Sequence, residues 1–392
     1  MHLNKNNFFY ISPSILPSRS ANAVHVMKQC DALANISKEK SIYIFAKRSI
    51  RDKSLFRESV IKKYSIKSNN IIFITYYSKF EFFYNGIITI LVLYNFFILK
   101  PKYIISRNLY ASFIFSIFFK QKTIFEIHTL EYGFRKKIQA SIIRSPNIQI
   151  IVISNTLKTY LENATNCKSF DIHVLHDAGT DEISPVNKSI KRKTLSDLGY
   201  LDDNFKNYKF IVGYFGHLYE GRGINIIEEI ACKLPDYLFL IFGGTNNDLQ
   251  RCIGSNTSVN LQFKGFVDYS EVLKLIPLFD VLLMPYQNNV FLSNKSYDTA
   301  KWMSPMKMFE YLASGVPIIS SDLPVLKEVL EHQKTALLVE SNNSNSWVNA
   351  IELLYSDNVL YKSISKNALI LFKERFTWDK RAQEIINIFE NN

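Results

Sequence analysis

Cysteine is scarce and scattered in this 392-residue chain. Cys30, Cys167, Cys232 and Cys252 form no CxxC pair and show no Cys/His spacing suited to a metal. A disulfide framework and a zinc motif are excluded, no acidic metal motif stands out, and the pattern reads as a reduced, metal-free, cytosolic protein. The N-terminus lacks a basic segment ahead of a long apolar one, and Phe8 to Ile11 is too short for a signal core; it reads as a first strand. The most apolar region, Phe82 to Leu99, is interrupted by Asn85, Gly86 and Asn95 and ended by Lys100, Pro101 and Lys102. That predicts a buried or membrane-leaning helix rather than a span. Negative charge is in deficit, with 35 Asp and Glu against 47 Lys and Arg and a net charge of +12. The imbalance points to an anionic partner: nucleic acid, an acidic membrane surface or a phosphorylated ligand. The basic residues are spread, with KRK at 191 to 193 and RKK at 135 to 137 the only tight runs, which argues against nucleic acid.

A hydrophobic content of 47% with 21% charged residues is that of a globular protein, long enough for two domains. The 14% aromatic content, placed beside Lys and Arg, suits a surface resting on anionic lipid, and equally a Phe-rich core. Strands and helices alternate throughout, which predicts an α/β chain of parallel, doubly wound sheets. In the first half, strands are expected at 8 to 12, 42 to 46, 71 to 75, 103 to 106, 123 to 127 and 150 to 153, with a loop over 13 to 20 and a helix over 21 to 37. Arg107 and His128 directly follow strand ends, where open α/β sheets bind ligands. A polar stretch containing Pro185 sets a linker near 178 to 190, followed by a helix over 193 to 200. The alternation then restarts. A strand over 210 to 214 leads into a turn with Gly216, Gly221, Arg222 and Gly223, a helix over 224 to 233, and a strand over 237 to 242 ending at Gly243. Further strands are expected at 259 to 263 and 281 to 284. A long polar loop, Tyr286 to Met303, is long enough to be functional.

That loop delivers the chain to SPMKMFEYLASGVPIISSDLP, Ser304 to Pro324, the most fully punctuated stretch of the sequence. Ser304 reads as an N-cap, Pro305 as the first helical residue, Gly315 as the left-handed stop, and 316 to 319 as a core strand. Lys307 in the first turn opposes the helix dipole by about 0.3 to 1 kcal/mol, and a bound anion would reverse that sign. Ser304, Met306 and Lys307 thus form half of a phosphate cradle, with Glu310 one turn on available to sugar hydroxyls. A solvated lysine and a surface glutamate are the ordinary alternative.

The order YFGHLYEGRG, LIFGG, LQFKGFV, FDVLLMPY and SPMKMFEYLASGVPIISSDLP resembles the retaining glycosyltransferases of family 4. LPSRSANAVHVMKQCDALA is similar to the first loop and helix of the bacterial surface-polysaccharide members. ERFTWDKRAQEIINIF, Glu374 to Phe389, resembles their terminal helix. The resemblance implies a GT-B fold: two Rossmann-like domains facing across a cleft, with a C-terminal helix crossing back to the first domain. The expected divisions are 1 to 180 for acceptor, 181 to 370 for nucleotide sugar, and 371 to 392 for the returning helix.

By the same resemblance, Glu310 holds the donor ribose, while the family's other glutamate falls at Trp302, a departure. The family's cationic pair falls at His217, a second departure, and Arg222. His128 matches an active-site histidine near sugar and acceptor. Ala21 and Asn22 stand where the first loop approaches the diphosphate. The donor contacts implied further are Gly216, Gly243, Phe266, Ser304 and Met306, with His128, Arg222 and Lys307 catalytic and no metal or cofactor. The function implied is retaining, metal-independent transfer of a sugar from a nucleotide-sugar donor to a lipid-linked or surface polysaccharide precursor, such as lipopolysaccharide or capsule. The expected location is cytoplasmic, peripheral at the inner face of the membrane. A non-catalytic partner subunit and a nucleotide-sugar epimerase of the same fold are the alternatives.

Overall fold

Apolar runs too short for helices make two parallel sheets in a computed structural model described for residues 7–37, 40–78, 84–165, 172–201, 208–255, 258–290 and 298–391. The chain divides into two units, residues 1–177 with 378–392, and residues 178–377. In the first unit the elements run β1 (Phe8–Leu16), α1 (Ala21–Ile36), β2 (Ile42–Arg48), α2 (Lys53–Tyr64), β3 (Ile71–Tyr77), α3 (Tyr84–Leu99), β4 (Tyr103–Ser106) and α4 (Leu109–Phe113). They continue as β5 (Thr123–Ile127), α5 (Gly133–Ile143), β6 (Ile148–Val152), α6 (Asn155–Thr165) and β7 (Ile172–Val174). The strand order is β3-β2-β1-β4-β5-β6-β7. Every residue of β4 and β5 is buried, as expected for a parallel sheet covered on both faces. Its order reverses between β1 and β4, the switch point where such sheets open a crevice.

The first expected loop is shorter than the sequence suggested. β1 continues through Pro13 to Leu16, and its register with β2 shifts between Ile11 and Ile15. An irregularity of this kind is where a strand tolerates a proline that cannot donate to the ladder. α1 then starts under the side chain of Ser20, which accepts the amide of Ala23 at 3.2 Å.

The second unit repeats the plan with α7 (Lys188–Asp197), β8 (Ile211–Phe215), α8 (Ile224–Lys233), β9 (Leu238–Phe242), α9 (Asn246–Ser255) and β10 (Leu261–Gly265). There follow α10 (Tyr269–Leu275), β11 (Val281–Met284), α11 (Met306–Ser314), β12 (Ile318–Ser321), β13 (Leu337–Val339), α12 (Ser344–Ser356) and α13 (Asn358–Arg375). The order β10-β9-β8-β11-β12-β13 places the switch point between β8 and β11. The expected helix over 193 to 200 begins earlier, at Lys188, and takes in the basic run. Two of its cations are consumed by carbonyls: Lys191 Nζ donates to Phe279 at 2.6 Å and Arg192 to Tyr208 at 2.5 Å.

The helix expected to start under Ser304 instead has Pro305 as its N-cap. Pro305 is extended, φ −74° and ψ 120°, and no side chain caps the helix, so Ser304 lies outside it. Gly315 closes α11 in the left-handed conformation, φ 64°. Residues 291–297 of the preceding loop, Phe82 at the start of the apolar region, and Cys167 lie outside the described residues.

The stretch from Glu374 to Phe389 is not one helix. α13 ends at Arg375, and α14 (Trp378–Glu390) belongs to the first unit. There it packs on α1, with Arg381 hydrogen-bonded to Gln29 and the Phe389 ring 4.9 Å from that of Tyr103.

Candidate functional site

Each unit gathers charged side chains at its own switch point. In the second unit, the turn after β8 carries Gly216, His217 and Arg222. The Tyr214 hydroxyl donates to the His217 carbonyl at 2.8 Å, and the Gln287 amide donates to the Gly221 carbonyl at 2.9 Å. Gly223, at φ +77°, is the N-cap of α8, and a Cβ there would stand 1.9 Å from the Pro285 carbonyl oxygen. Only glycine lets the turn lie so close to the exit of β11. Arg222 is thereby fixed over the ring of Tyr286, 5.2 Å from its centroid.

Lys307 comes to the same place from α11. Its Nζ lies 4.2 Å from the centroid of Tyr214 and 5.0 Å from that of Tyr286. A Cβ on Gly216 would stand 2.6 Å from that nitrogen, so the glycine leaves room for the lysine. The Tyr311 hydroxyl accepts the Phe215 amide at 3.0 Å and ties α11 to β8. Burial, then the charge of Arg222, hold the Lys307 ammonium well below the usual lysine range, against the pull of Glu310. Neither Arg222 nor Lys307 has a carboxylate within ion-pair distance among the described residues. Arg222 Nε is buried without a hydrogen-bond partner there. Two cations share one aromatic wall beside a helix start with no side-chain cap, an arrangement suited to a polyvalent anion.

His217 stacks on Tyr219 at 4.7 Å. Although part of its ring meets solvent, desolvation followed by Arg222 and Lys307 brings its pKa down to about 4, so it stays neutral beside the two cations. Gly243 ends β9 against Gly216, whose amide donates to the Phe242 carbonyl at 2.9 Å. Glu310 is buried one turn below Lys307, which excludes the surface reading. Burial and then the Glu310 carboxylate raise the nearby Tyr269 hydroxyl well above its usual value. Met306 and Ser304 line the approach to α11, both nearly buried. Trp302 is 6% exposed, a core residue where a carboxylate was expected. Phe266 stands apart after β10, two strands from β8, with 41% of its surface exposed. A depression of about 470 Å³ opens beside the same turn, lined by Tyr219, Ile224 and Arg251 among others, but it holds neither Arg222 nor Lys307.

The first unit assembles a different cluster. Ala21 and Asn22 open α1, where Asn22 donates to Ser14 Oγ at 2.7 Å. One turn on, His25 places Nε2 2.9 Å from Glu126 Oε1 and Nδ1 2.9 Å from Asp177 Oδ1. Glu126 Oε1 also lies 2.7 Å from His128 Nε2 and 3.0 Å from Arg381 Nη2, while Oε2 accepts from Tyr10 at 3.3 Å. Burial drives the Glu126 carboxyl up, but Arg381, His25 and the histidine hydrogen bonds overcome it and hold it well below the usual range. Asp177 is held low in the same way, burial being outweighed chiefly by His25. Ligand atoms of His25, Glu126 and His128 lie within 4.8 Å of one another, a spacing that admits a metal ion. The shared oxygen is already engaged by the Arg381 guanidinium, which makes the group an ion-pair hub.

Sequence reasoning had marked Arg107 and His128 but missed Tyr214, Tyr286, His25, Glu126 and Arg381. Glu126 was within reach: two residues from His128, it lies on the same face of an extended chain.

Residues 202–371 match the family described as glycosyl transferases group 1. TuaH of Bacillus subtilis (strain 168), named for teichuronic acid biosynthesis, is 24% identical over 247 residues, 60% of this chain. An uncharacterized glycosyltransferase of Methanocaldococcus jannaschii is 22% identical over 272 residues, 67% of this chain. The chain spans 56% of the first and 63% of the second, less than two thirds of either. HepE of Anabaena, solved in complex with UDP-glucose, superposes with a TM-score of 0.72 at 15% identity, covering 98% of this chain and 100% of that one. Two Rossmann-like sheets and a last helix returned to α1 bear out the expected GT-B fold, and the match to the glycosyl transferases of group 1 lies within the second unit, at residues 202–371.

Proposed function

We propose that this chain is a retaining sugar transferase that moves a sugar from a nucleotide-sugar donor to a lipid-linked or surface polysaccharide precursor. The observation that carries the reading is the pair Arg222 and Lys307, two cations without a carboxylate partner among the described residues, set at the β8/β11 switch point beside an uncapped helix. Breaking the bond from anomeric carbon to diphosphate develops negative charge on the leaving group. Preorganised cations and amides are most effective where charge appears. Arg222 supplies a bidentate fork, Lys307 a point charge, and the amides of Met306 and Lys307 the helix N-terminus. An arriving diphosphate also restores the lysine's preference for its charged form. Glu310 is assigned the ribose hydroxyls, and Gly216 and Gly243 the close backbone approach. In the first unit His128 is assigned the orienting of sugar and acceptor, with Ala21 and Asn22 offering amides. Retention follows from attack on the face of departure, with a phosphate oxygen taking the acceptor's proton, so no side chain is assigned as general base.

A lipid-linked acceptor is supported by one surface of the first unit. Along α3, Ile90, Tyr94, Phe97 and Ile98 are exposed at helical spacing, and Phe97 meets the half-exposed Phe119 at 5.7 Å. Phe118 is 70% exposed, and exposed lysines follow in the chain, Lys100 and Lys102 after the end of α3 and Lys120 and Lys122 after Phe119. No described helix is long and apolar enough to cross a membrane. An apolar stripe edged with lysine is the chemistry of a surface resting on anionic lipid.

Thermal stabilisation by a panel of nucleotide sugars tests the donor assignment: a ligand at about 100 times its Kd adds roughly 2.7 kcal/mol. No response to any donor would remove the transferase reading. Product analysis separates the alternatives, since an epimerase converts donor without acceptor and a partner subunit binds donor without turnover.

A further inference from the structure

The hub around Glu126 fixes more than the fold. Glu126 and His128 project from one face of the end of β5, and Glu126 Oε1 sits 2.7 Å from His128 Nε2. An ionised carboxylate only accepts hydrogen bonds, so that ring nitrogen carries the proton. Arg381 Nη2 at 3.0 Å and His25 Nε2 at 2.9 Å keep the carboxylate ionised and aimed. The His128 side chain is 22% exposed, and its Nδ1 has no hydrogen-bond partner among the described residues. Resting on the transferase reading for its substrate, we propose that Glu126 is a positioning residue: it locks His128 as the Nε2–H tautomer, so that Nδ1 is an acceptor for a substrate hydroxyl.

The alternative role, a cationic His128 donating to a substrate oxygen, fits the surroundings poorly. The charged and titratable groups about the ring are Glu126, His25 and Arg107, with Asp177 and Arg381 behind them. Burial, followed by the charge of Arg107, brings the His128 pKa down to about 4 despite the hydrogen bond to Glu126. A neutral ring with its proton turned inward has one free site, a lone pair. Specificity then falls on substrates with a hydroxyl there, since a deoxy analogue leaves the lone pair unsatisfied.

The test is nitrogen NMR of the full chain labelled at histidine, without ligand, using His128→Gln to assign the resonance. The expected result is a neutral ring protonated at Nε2, unchanged between pH 8 and about pH 5.5. A ring protonated at Nδ1, or doubly protonated at pH 7, overturns the proposal. Glu126→Asp keeps the carboxylate and is expected to retain the tautomer. Glu126→Gln is expected to give a mixture, and an unchanged single tautomer there would show that the carboxylate is not the cause. If Glu126→Gln does not fold, the wild-type and Glu126→Asp spectra still decide. The readout needs no turnover, so it stands or falls separately from the transferase assignment. In folded Glu126→Gln, kcat is expected to fall by about tenfold or more with KM little changed, the pattern of lost orientation.

Discussion

The two units treat buried charge in opposite ways. In the first, His25, Glu126, Asp177 and Arg381 answer one another within 2.9 to 3.0 Å, and the last helix is recruited to supply the arginine. In the second, Arg222 and Lys307 face aromatic rings with no carboxylate in ion-pair reach among the described residues, and burial and then the charge of Arg222 make the Lys307 charge harder to keep. A balanced cluster has finished its electrostatics within the protein and holds elements in place. An unbalanced one holds like charges together at a cost to the fold, which is expected where a charge must be met from outside.

The largest effect should come from breaking the balanced cluster. Glu126→Ala leaves the Arg381 guanidinium buried without its carboxylate, and removing one partner of a buried pair costs about 3 to 5 kcal/mol. Urea unfolding followed at Trp378, which packs 5.1 Å from His25, should show the midpoint collapse. A loss under 1 kcal/mol would mean the hub is solvated and the contrast false.

Breaking the unbalanced cluster should leave the fold and remove the chemistry. Arg222→Ala and Lys307→Met are each expected to lower transfer by about 10² to 10³, the effect of deleting one preorganised group at a developing charge. Their melting temperatures should equal or exceed the wild type, because a repelling cation has been removed. A variant that unfolds while the residual folded fraction keeps full rate would reverse the assignment.

This contrast explains what was legible in the sequence. Helix α8 and strands β4, β5 and β11 were readable to the residue because apolar runs, glycines and prolines mark their ends locally. The start of α11 was misplaced by one residue because Ser304 and Pro305 both carry capping signals, and only the backbone distinguishes them. Arg222 and Lys307 were found because glycine turns and helix starts are local signatures. Tyr214, Tyr286, and Glu126 with its partners His25 and Arg381 were not. Arg381 lies 255 residues from the carboxylate it serves, and no spacing rule spans such a distance. α12 and α13 went unread for a simpler reason, having no glycine-rich turn or conspicuous motif to draw attention.

Acid titration should sharpen the comparison within the first unit. His128 has its pKa lowered from the usual 6.5 to about 4, so the unfolded chain binds the proton more readily. Its contribution is therefore present in full above about pH 6.5 and lost as pH falls toward 4, a cost of about 2 kcal/mol at pH 5. Glu126 and Asp177 are shifted in the depressed-carboxylate sense, so their contribution disappears only at lower pH, as their folded pKa values are crossed. His128→Gln should flatten the stability profile between pH 7 and 5, measured by urea midpoints, and leave the steeper acid limb. His217 lies nearer solvent, and its share should be smaller.

The smallest effect on stability belongs to a third kind of unanswered surface, the apolar stripe of α3. Phe97→Ser and Phe118→Ser alter side chains 61% and 70% exposed, so each should shift stability by no more than about 0.5 kcal/mol. Binding to vesicles containing anionic lipid should nevertheless drop, and Lys100→Glu with Lys120→Glu should weaken it by at least about 1 kcal/mol per site, more steeply at low salt. Cosedimentation at two salt concentrations separates the two contributions, since only the lysine share is screened. If none of these substitutions changes vesicle binding, the stripe serves something other than a lipid surface, and the lipid-linked acceptor loses its structural support while Arg222 and Lys307 keep theirs.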